Sequence, residues 1–579
     1  MFLSLFIFIF PHFKMRKFIR NTDYSTNKKT TISGEAWFLI GLVVLFILVV
    51  LFAIYLLNSD EEENQLSPPS YVYKEITCGE LDTKETFQNL NEYYSYFNSL
   101  LISEKRHIQA TYANEDVSSY NKVGQGLSLF CSPFKNTISF DLYNGILAGV
   151  SLFPVNSKVE NTLPNMIASV QQEPLTLLQG PPGTGKTYTT AMIIDRLLQI
   201  NPTTRILVCC PSNGPLVELK EKYLQLTSSA LPSVGIYYST TYTNNNESVK
   251  DDPNNIRENI NRIPGISILD TNRKYDAVTS FLETRRVLFV TCTSIMDPIF
   301  SSQYFDFIII DEASRCIEPE AILPLLHAKE NTNCLLVGDH LQLSPLVNRE
   351  EIKPCLSVSL FKRLQQIGTL PSFTLTTQYR MHPWLAKLSY PYFYPRVTVR
   401  NYDEQCSTKT SCGKWYESRP VISNIIEYKG RYYPGVWVDV IGKEEGEGGF
   451  YNTKEADEIV DLVDRLLGTN EIEQKQITIL VPYKEQAKEI VRRFQQKNKT
   501  GLIQDIQIRT IDSYQGNDND VIILSLVRSN PKEEIGFLDN PERINVALTR
   551  AKFLYFIVGN EELFRNKQPY WSQIIRKNF

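Results

Sequence analysis

The chain has 579 residues, enough for several domains, since a single hydrophobic core rarely grows beyond ~250–300 residues. Hydrophobic residues make up 42% and charged residues 21%, close to globular averages, so most of the chain is expected to fold. A formal net charge of −4 argues against coating a polyanion by bulk positive charge, although a local basic groove remains open.

In chain order, residues 1–34 read as a basic tail carrying Lys14, Arg16, Lys17, Arg20, Lys28 and Lys29. Phe2–Phe10 is too short to span a bilayer, lacks a basic n-region and ends at Pro11, so it makes a poor signal peptide. Trp37–Leu57 is an uncharged apolar run that would reach about 30 Å as a helix. Residues 35–57 are therefore expected to form a transmembrane helix, with membrane contact through 37–57; the competing reading is a buried core helix. Asp60, Glu61, Glu62 and Glu63 follow it, so the positive-inside rule keeps the N-terminus cytosolic and sends the rest across.

Residues 58–70, with the string NQLSPPS, read as a linker. Residues 71–160 are expected to form an accessory unit of a stalk helix and a small β unit. Phe87, Leu90, Tyr94, Phe97 and Leu101 recur at helical spacing, while 123–155 shows short apolar stretches broken by Gly, Pro and Asn. From about 161, Leu175–Leu178, Arg205–Cys209, Val287–Thr291, Phe307–Ile310 and Cys334–Val337 alternate with helical stretches. Ile477–Val481, Ile506–Thr510, Val521–Ser525 and Leu554–Val558 repeat the pattern. The alternation predicts parallel sheets covered by helices in two α/β domains, 161–366 and 367–579, the first with a polar insertion at about 228–264.

The ten cysteines form no C-x-x-C and are joined by only five histidines, so no zinc site is legible. The plain reading is reduced, buried thiols, although Cys406 and Cys412 share a polar loop and can pair in an oxidising space.

Gly180-Pro181-Pro182-Gly183-Thr184-Gly185-Lys186-Thr187 fits G-x-x-x-x-G-K-[ST] between a strand and a helix. In that setting the glycines permit a tight turn whose N–H groups face phosphates. Lys186 would hold the terminal phosphates and the Thr187 hydroxyl would ligate Mg²⁺. Asp311 and Glu312 end the strand FDFIII at the ligand edge of a parallel sheet. Asp311 can bind Mg²⁺ and Glu312 can polarise an attacking water, whereas the bland alternative is an acidic pair at the start of a helix.

These two motifs are joined, in order, by VGDHLQLSP (337–345), LTTQYRMHPWL (375–385), VPYKEQ (481–486), IDSYQGNDNDVIILSLVRSN (511–530) and RINVALTRAK (543–552). The set resembles superfamily 1 helicases of the up-frameshift type, the regulator of nonsense transcripts and senataxin family, over roughly residues 75–579. The resemblance implies two RecA-like P-loop domains and an ATP- and Mg²⁺-dependent helicase or translocase on single-stranded RNA or DNA, travelling 5′-to-3′. It implies that Gln342 senses the γ-phosphate, that Tyr379 stacks on adenine, and that Arg380 and Arg550 reach the phosphates from the second domain. Asp518 stands near the ribose, where many relatives have Glu. Pro211, Ser212, Asn213, Thr291, Thr293, Ser294, Pro482 and Tyr483 would hold the strand by its backbone; each alone suits ordinary turn chemistry equally well. His382 can contact the strand or cap its own turn.

Two departures stand out. The Cys/His-rich regulatory region of some relatives is absent, so no zinc-binding domain is expected. Leu163 occupies the position where the family often has an adenine-reading Gln, with Asn161 and Asn165 nearby. The alternative function is a nucleic-acid clamp or ribonucleoprotein remodeller with ATPase activity but little unwinding. Because the motor needs ATP and polynucleotide, it is expected on the cytosolic or nuclear side of a single-pass anchor despite the charge bias. Without the N-terminal segment in the mature protein, it would lie in the cytoplasm or nucleus.

Overall fold

The computed structural model describes residues 87, 90–111, 117–131, 140–148, 162–227, 234–262, 278–395, 397, 399–402, 411–428, 431–447, 449–567 and 569–579. Three helices come first: α1 (Leu90–Thr111), α2 (Ser118–Phe130) and α3 (Phe140–Ala148). α4 (Leu163–Gln172) leads into seven strands, β1 (Leu175–Gln179), β2 (Ile206–Cys210), β3 (Val234–Tyr237), β4 (Val287–Thr291), β5 (Phe305–Ile310), β6 (Ala328–Gly338) and β7 (Ser372–Thr374). They form one sheet in the order β3-β4-β2-β5-β6-β1-β7, with every pairing parallel. Helices α5 (Lys186–Ile200) and α6 (Asn213–Leu226) follow β1 and β2. The strands alternate their buried side chains between two cores. Leu175, Leu177, Leu207, Ile308 and Leu336 face one, and Leu178, Val208, Phe289, Ile309 and Val337 the other. Burial on both faces explains the near-continuous apolar runs in the sequence.

A second parallel sheet contains β8 (Gly435–Asp439), β9 (Ile477–Val481), β10 (Gln507–Thr510), β11 (Asn519–Ser525) and β12 (Ala551–Gly559), ordered β8-β12-β11-β9-β10. Helices α7 (Thr453–Gly468) and α8 (Lys484–Gln496) cover one face, and α9 (Pro541–Leu548) belongs to the core on the other. Both halves are RecA-like α/β layers.

Several expectations are corrected. The small β unit expected within 123–155 is helical where described, as α2 and α3. Val123, Leu127 and Phe130 line one buried helical stripe, and short apolar stretches alone do not distinguish the two periods. The polar stretch 228–264 contains an edge strand, since β3 pairs with β4. β7 pairs with β1, so the first sheet extends past residue 366. Among the described residues no helix is long and apolar enough to cross a membrane. The longest of them, α1, carries Glu92, Glu104 and Lys105. The transmembrane helix expected at 35–57 lies outside the described residues and finds no support among them, so it and the membrane-anchored placement built on it are withdrawn.

The accessory helices pack into the core on one face of the first sheet through Tyr93, Phe97, Leu127 and Leu142. A buried ion pair fixes the seam. Arg363 meets Glu318 at 2.5 Å and donates to the Ile146 and Leu147 carbonyls at the end of α3. Cys131, Cys209, Cys210, Cys292, Cys316 and Cys334 are free thiols, whereas Cys355 and Cys412 are disulfide-bonded, a departure from the all-reduced reading.

Candidate functional site

β1 delivers the chain to the C-terminal edge of the first sheet, where the Gly180 N–H donates to the Gly338 carbonyl of β6 at 3.1 Å. The turn that follows needs left-handed backbone at Gly183 (φ 71°) and Gly185 (φ 82°), a region costly for residues with a Cβ. A Cβ on Gly183 would also stand 2.6 Å from the Arg380 Cβ. Lys186 opens α5 and folds back to donate to the Gly180 carbonyl at 2.9 Å, with its ammonium 4.0 Å from Glu312. Thr184 Oγ1 donates to the Pro181 carbonyl at 2.7 Å, tying the loop to itself. Such a turn at a helix N-terminus is an anion cradle.

Asp311 and Glu312 directly follow β5, and the Asp311 N–H donates to Cys209 O at 2.8 Å. Burial pushes the Asp311 carboxyl up to about 7; Glu312 adds to the rise and Lys186 opposes it. Glu312 adopts φ 54° and gives its N–H to Asp311 Oδ1 at 2.9 Å. A non-glycine residue held in that region is strained, and such strain clusters at functional sites.

The second half of the chain reaches the same place. The Tyr379 N–H donates to the Gly183 carbonyl at 2.8 Å, joining the glycine-rich loop to the QYRMHP segment. Arg380 pairs with Asp518 at 2.7 Å and donates to Thr549 O at 3.1 Å. Asp518 also binds Lys552 at 2.8 Å. Burial pushes its carboxyl up, but Arg380 and Lys552 prevail and hold it below the usual range. Arg550 is 1% exposed and donates to Val546 O at 2.9 Å and to Gln342 Oε1 at 3.4 Å. Burial, reinforced by the like charge of Arg380, pushes its pKa down to about 9. Gln342 in turn donates to Asp339 at 2.7 Å. Pro181, Pro182, Gly183, Gly185, Lys186, Thr187, Asp311, Glu312, Gln342, Tyr379, Arg380, Asp518 and Arg550 all line one cleft of about 420 Å³.

The eight residues assigned to strand contact lie elsewhere, and none lines that cleft. Pro211, Ser212 and Asn213 follow β2, where Asn213 Nδ2 donates to Ser239 at 3.1 Å. Thr291 ends β4 and Thr293 and Ser294 follow it; Thr291 Oγ1 donates to Ser294 Oγ at 2.7 Å in a closed local turn. Pro482 and Tyr483 follow β9; the Tyr483 hydroxyl accepts the Phe537 N–H at 3.2 Å. His382 lines the cleft and caps its own turn, its Nδ1 accepting the Trp384 N–H at 3.0 Å. Leu163 begins α4, and neither it nor Asn165 is among the residues lining the cleft.

Sequence reasoning missed the polar bridge between the halves. Tyr394 donates to Asp339 at 2.7 Å, and Asn545 donates to Tyr394 at 2.8 Å. Glu542 accepts both the N–H and the hydroxyl of Ser344, at 2.9 and 2.8 Å. Asp339 and Asn545 lie inside quoted motifs and Glu542 directly precedes one, so those motifs were the available signal. Tyr402 and Glu218, also in the cleft, had none.

Residues 157–263 and 240–350 match one family model described as an AAA domain, and residues 356–562 match a second of the same description. The chain is 33% identical over 426 residues to the Regulator of nonsense transcripts 1 homolog of Drosophila melanogaster, covering 70% of this chain and 34% of that protein. It is 31% identical over 491 residues to the ATP-dependent helicase NAM7 of Saccharomyces cerevisiae, covering 79% and 48%. It is likewise 31% identical over 510 residues to the ATP-dependent helicase upf1 of Schizosaccharomyces pombe, covering 79% and 52%. The matches thus span about a third to a half of these relatives' length. With both halves of the motif series matched in order, the chain belongs to the superfamily 1 helicases of the up-frameshift, or regulator of nonsense transcripts, type.

Proposed function

We propose that the protein is an ATP-dependent helicase or translocase that moves 5′-to-3′ along single-stranded RNA or DNA. The observation that carries this reading is the meeting of Lys186, Asp311 and Glu312 from one half with Arg380 and Arg550 from the other in a single cleft. Lys186 and the loop N–H groups hold the triphosphate, Glu312 polarises the attacking water, and the two guanidiniums neutralise charge that develops on the phosphoryl oxygens. Gln342, bonded to Arg550, couples that charge to the first domain.

The donor set fits a divalent cation, because Asp311 is a buried carboxylate whose charge burial disfavours, and Thr187 lines the same cleft. Asp311 and Thr187 would hold Mg²⁺, which when bound supplies neutralisation of phosphate charge. ATP favours closure because its phosphates are gripped from both halves, and product release favours opening. Pro211, Ser212, Asn213, Thr291, Thr293, Ser294, Pro482 and Tyr483 hold the sugar–phosphate strand without reading bases.

The test is ATP hydrolysis with and without oligo-RNA or oligo-DNA, alongside displacement of a 5′-tailed duplex. Single strands are expected to stimulate hydrolysis, and Lys186→Ala to lower it by about a hundredfold or more. Hydrolysis indifferent to added strands would remove the motor reading.

A further inference from the structure

We propose that Tyr402 is a second base-stacking residue, and that with Tyr379 it makes a paired aromatic platform for the nucleobase. The proposal rests on the reading of the cleft as a nucleotide site and extends it to a residue that no motif contains.

The geometry follows from a short strand pairing. Thr377–Gln378 and Arg400–Asn401 run parallel, with Thr377 opposite Arg400 and Gln378 opposite Asn401. Tyr379 and Tyr402 are the next residue on each strand, so they emerge as neighbours at about the inter-strand spacing of 4.7–4.9 Å. Their ring centroids are 5.0 Å apart, with an interplanar angle of 42°. Both backbones are anchored: Tyr402 N–H donates to Gln378 O at 3.0 Å, and Tyr379 N–H to Gly183 O at 2.8 Å. One ladder therefore carries both rings and hangs directly from the phosphate loop.

Two further observations point to a ligand. Tyr379 and Tyr402 are 60% and 67% exposed, although both line the cleft that contains Lys186. Adjacent aromatic faces left open in a cleft offer a flat apolar partner a stacking surface. The backbone donors beside them are already used, since the Arg380 and Met381 N–H groups both donate to Gln378 Oε1. Ring faces, rather than these N–H groups, are what this side of the cleft presents to a base, and every nucleobase has a face to stack.

The experiment compares Tyr402→Ala and Tyr402→Phe with the wild-type chain, using displacement of a fluorescent ribose-labelled ATP analogue by ATP and by inorganic tripolyphosphate. Tripolyphosphate carries the phosphates without the base. Tyr402→Ala is expected to weaken ATP binding about tenfold and to leave tripolyphosphate within twofold, with Tyr402→Phe close to wild type. Unchanged ATP affinity in Tyr402→Ala overturns the proposal, as does an equal loss for tripolyphosphate, which would mean the substitution had only disturbed the phosphate loop. Because the readout is binding, a wild-type chain that binds ATP but hydrolyses none would count against the motor and leave the platform standing.

Discussion

Replacing Arg550 with Met separates what the buried guanidinium costs the fold from what it contributes to a bound anion. Its pKa is pushed down to about 9 by burial and by the neighbouring charge of Arg380. At ~1.4 kcal/mol per decade, keeping that charge in place costs on the order of 5 kcal/mol in the free protein. Hydrogen bonds from the charged guanidinium to Val546 O, Asn517 O, Gln342 Oε1 and Thr549 Oγ1 contribute roughly 1.5–3 kcal/mol each and together outweigh that cost. Methionine fills similar length without a charge, but it leaves these acceptors without their donor. The nucleotide-free Arg550→Met protein is therefore expected to melt ~2–4 °C or more below wild type. A bound triphosphate relieves the cost only in the wild type, so a non-hydrolysable ATP analogue should raise the wild-type Tm by more than it raises the variant's. Thermal denaturation with and without the analogue reads both effects. A nucleotide-free variant melting at or above the wild-type temperature would refute the claim that these hydrogen bonds outweigh the burial of the charge.

Two other substitutions test the framework around the cleft. Glu104 of α1 is fully buried and accepts the N–H groups of Asn348 and Arg349 at 2.7 and 3.0 Å. Glu104→Ala leaves both donors without that partner and should destabilise by about 2–4 kcal/mol in chemical denaturation; a loss under ~0.5 kcal/mol would show that water replaces it freely. Glu455 accepts Ser525 and Val527 donors inside the second half, and burial pushes its carboxyl up to about 8 despite those bonds. A raised acid stabilises fully below its unfolded pKa of ~4.3, and that contribution is lost as pH rises through about 8. Wild-type stability should thus fall from pH 5 to 8, and Glu455→Gln should flatten the slope; parallel pH profiles for the two proteins would exclude this assignment.

The parts of the fold that rest on local pattern were legible. Ile477–Val481 and Val287–Thr291 were read to the residue because both faces of each strand are apolar. β3, β7 and β8 escaped because edge strands are short or half-exposed and lack that signature. Helices α2 and α3 were mistaken for β structure because glycine and asparagine interrupt them, and tertiary packing of Leu127, Phe130 and Leu142 outweighs local propensity. The glycine-rich turn at 180–187 was readable because its glycines serve a backbone turn that forms from nearby residues. The partners of Asp518 were not: its carboxylate pairs with Arg380 and Lys552. No linear pattern reveals a pairing between residues 138 positions apart.

The segment from Asp339 to Arg349 shows why the two halves can communicate through so few residues. Leu341 and Leu343 belong to the first half by sequence, yet they pack against the core of the second. Around that apolar plug the grips are polar: Asp339 to Tyr394, Gln342 to Arg550 and Ser344 to Glu542. At its far end the segment is held by Glu104 of the accessory helix. Hydrogen bonds to charged groups contribute about 1.5–3 kcal/mol each, small enough for a bound anion to shift their balance. A seam built only of apolar packing would respond to nucleotide charge weakly. One built of charged hydrogen bonds around a small plug can be biased by the charge that arrives between Lys186 and Arg550.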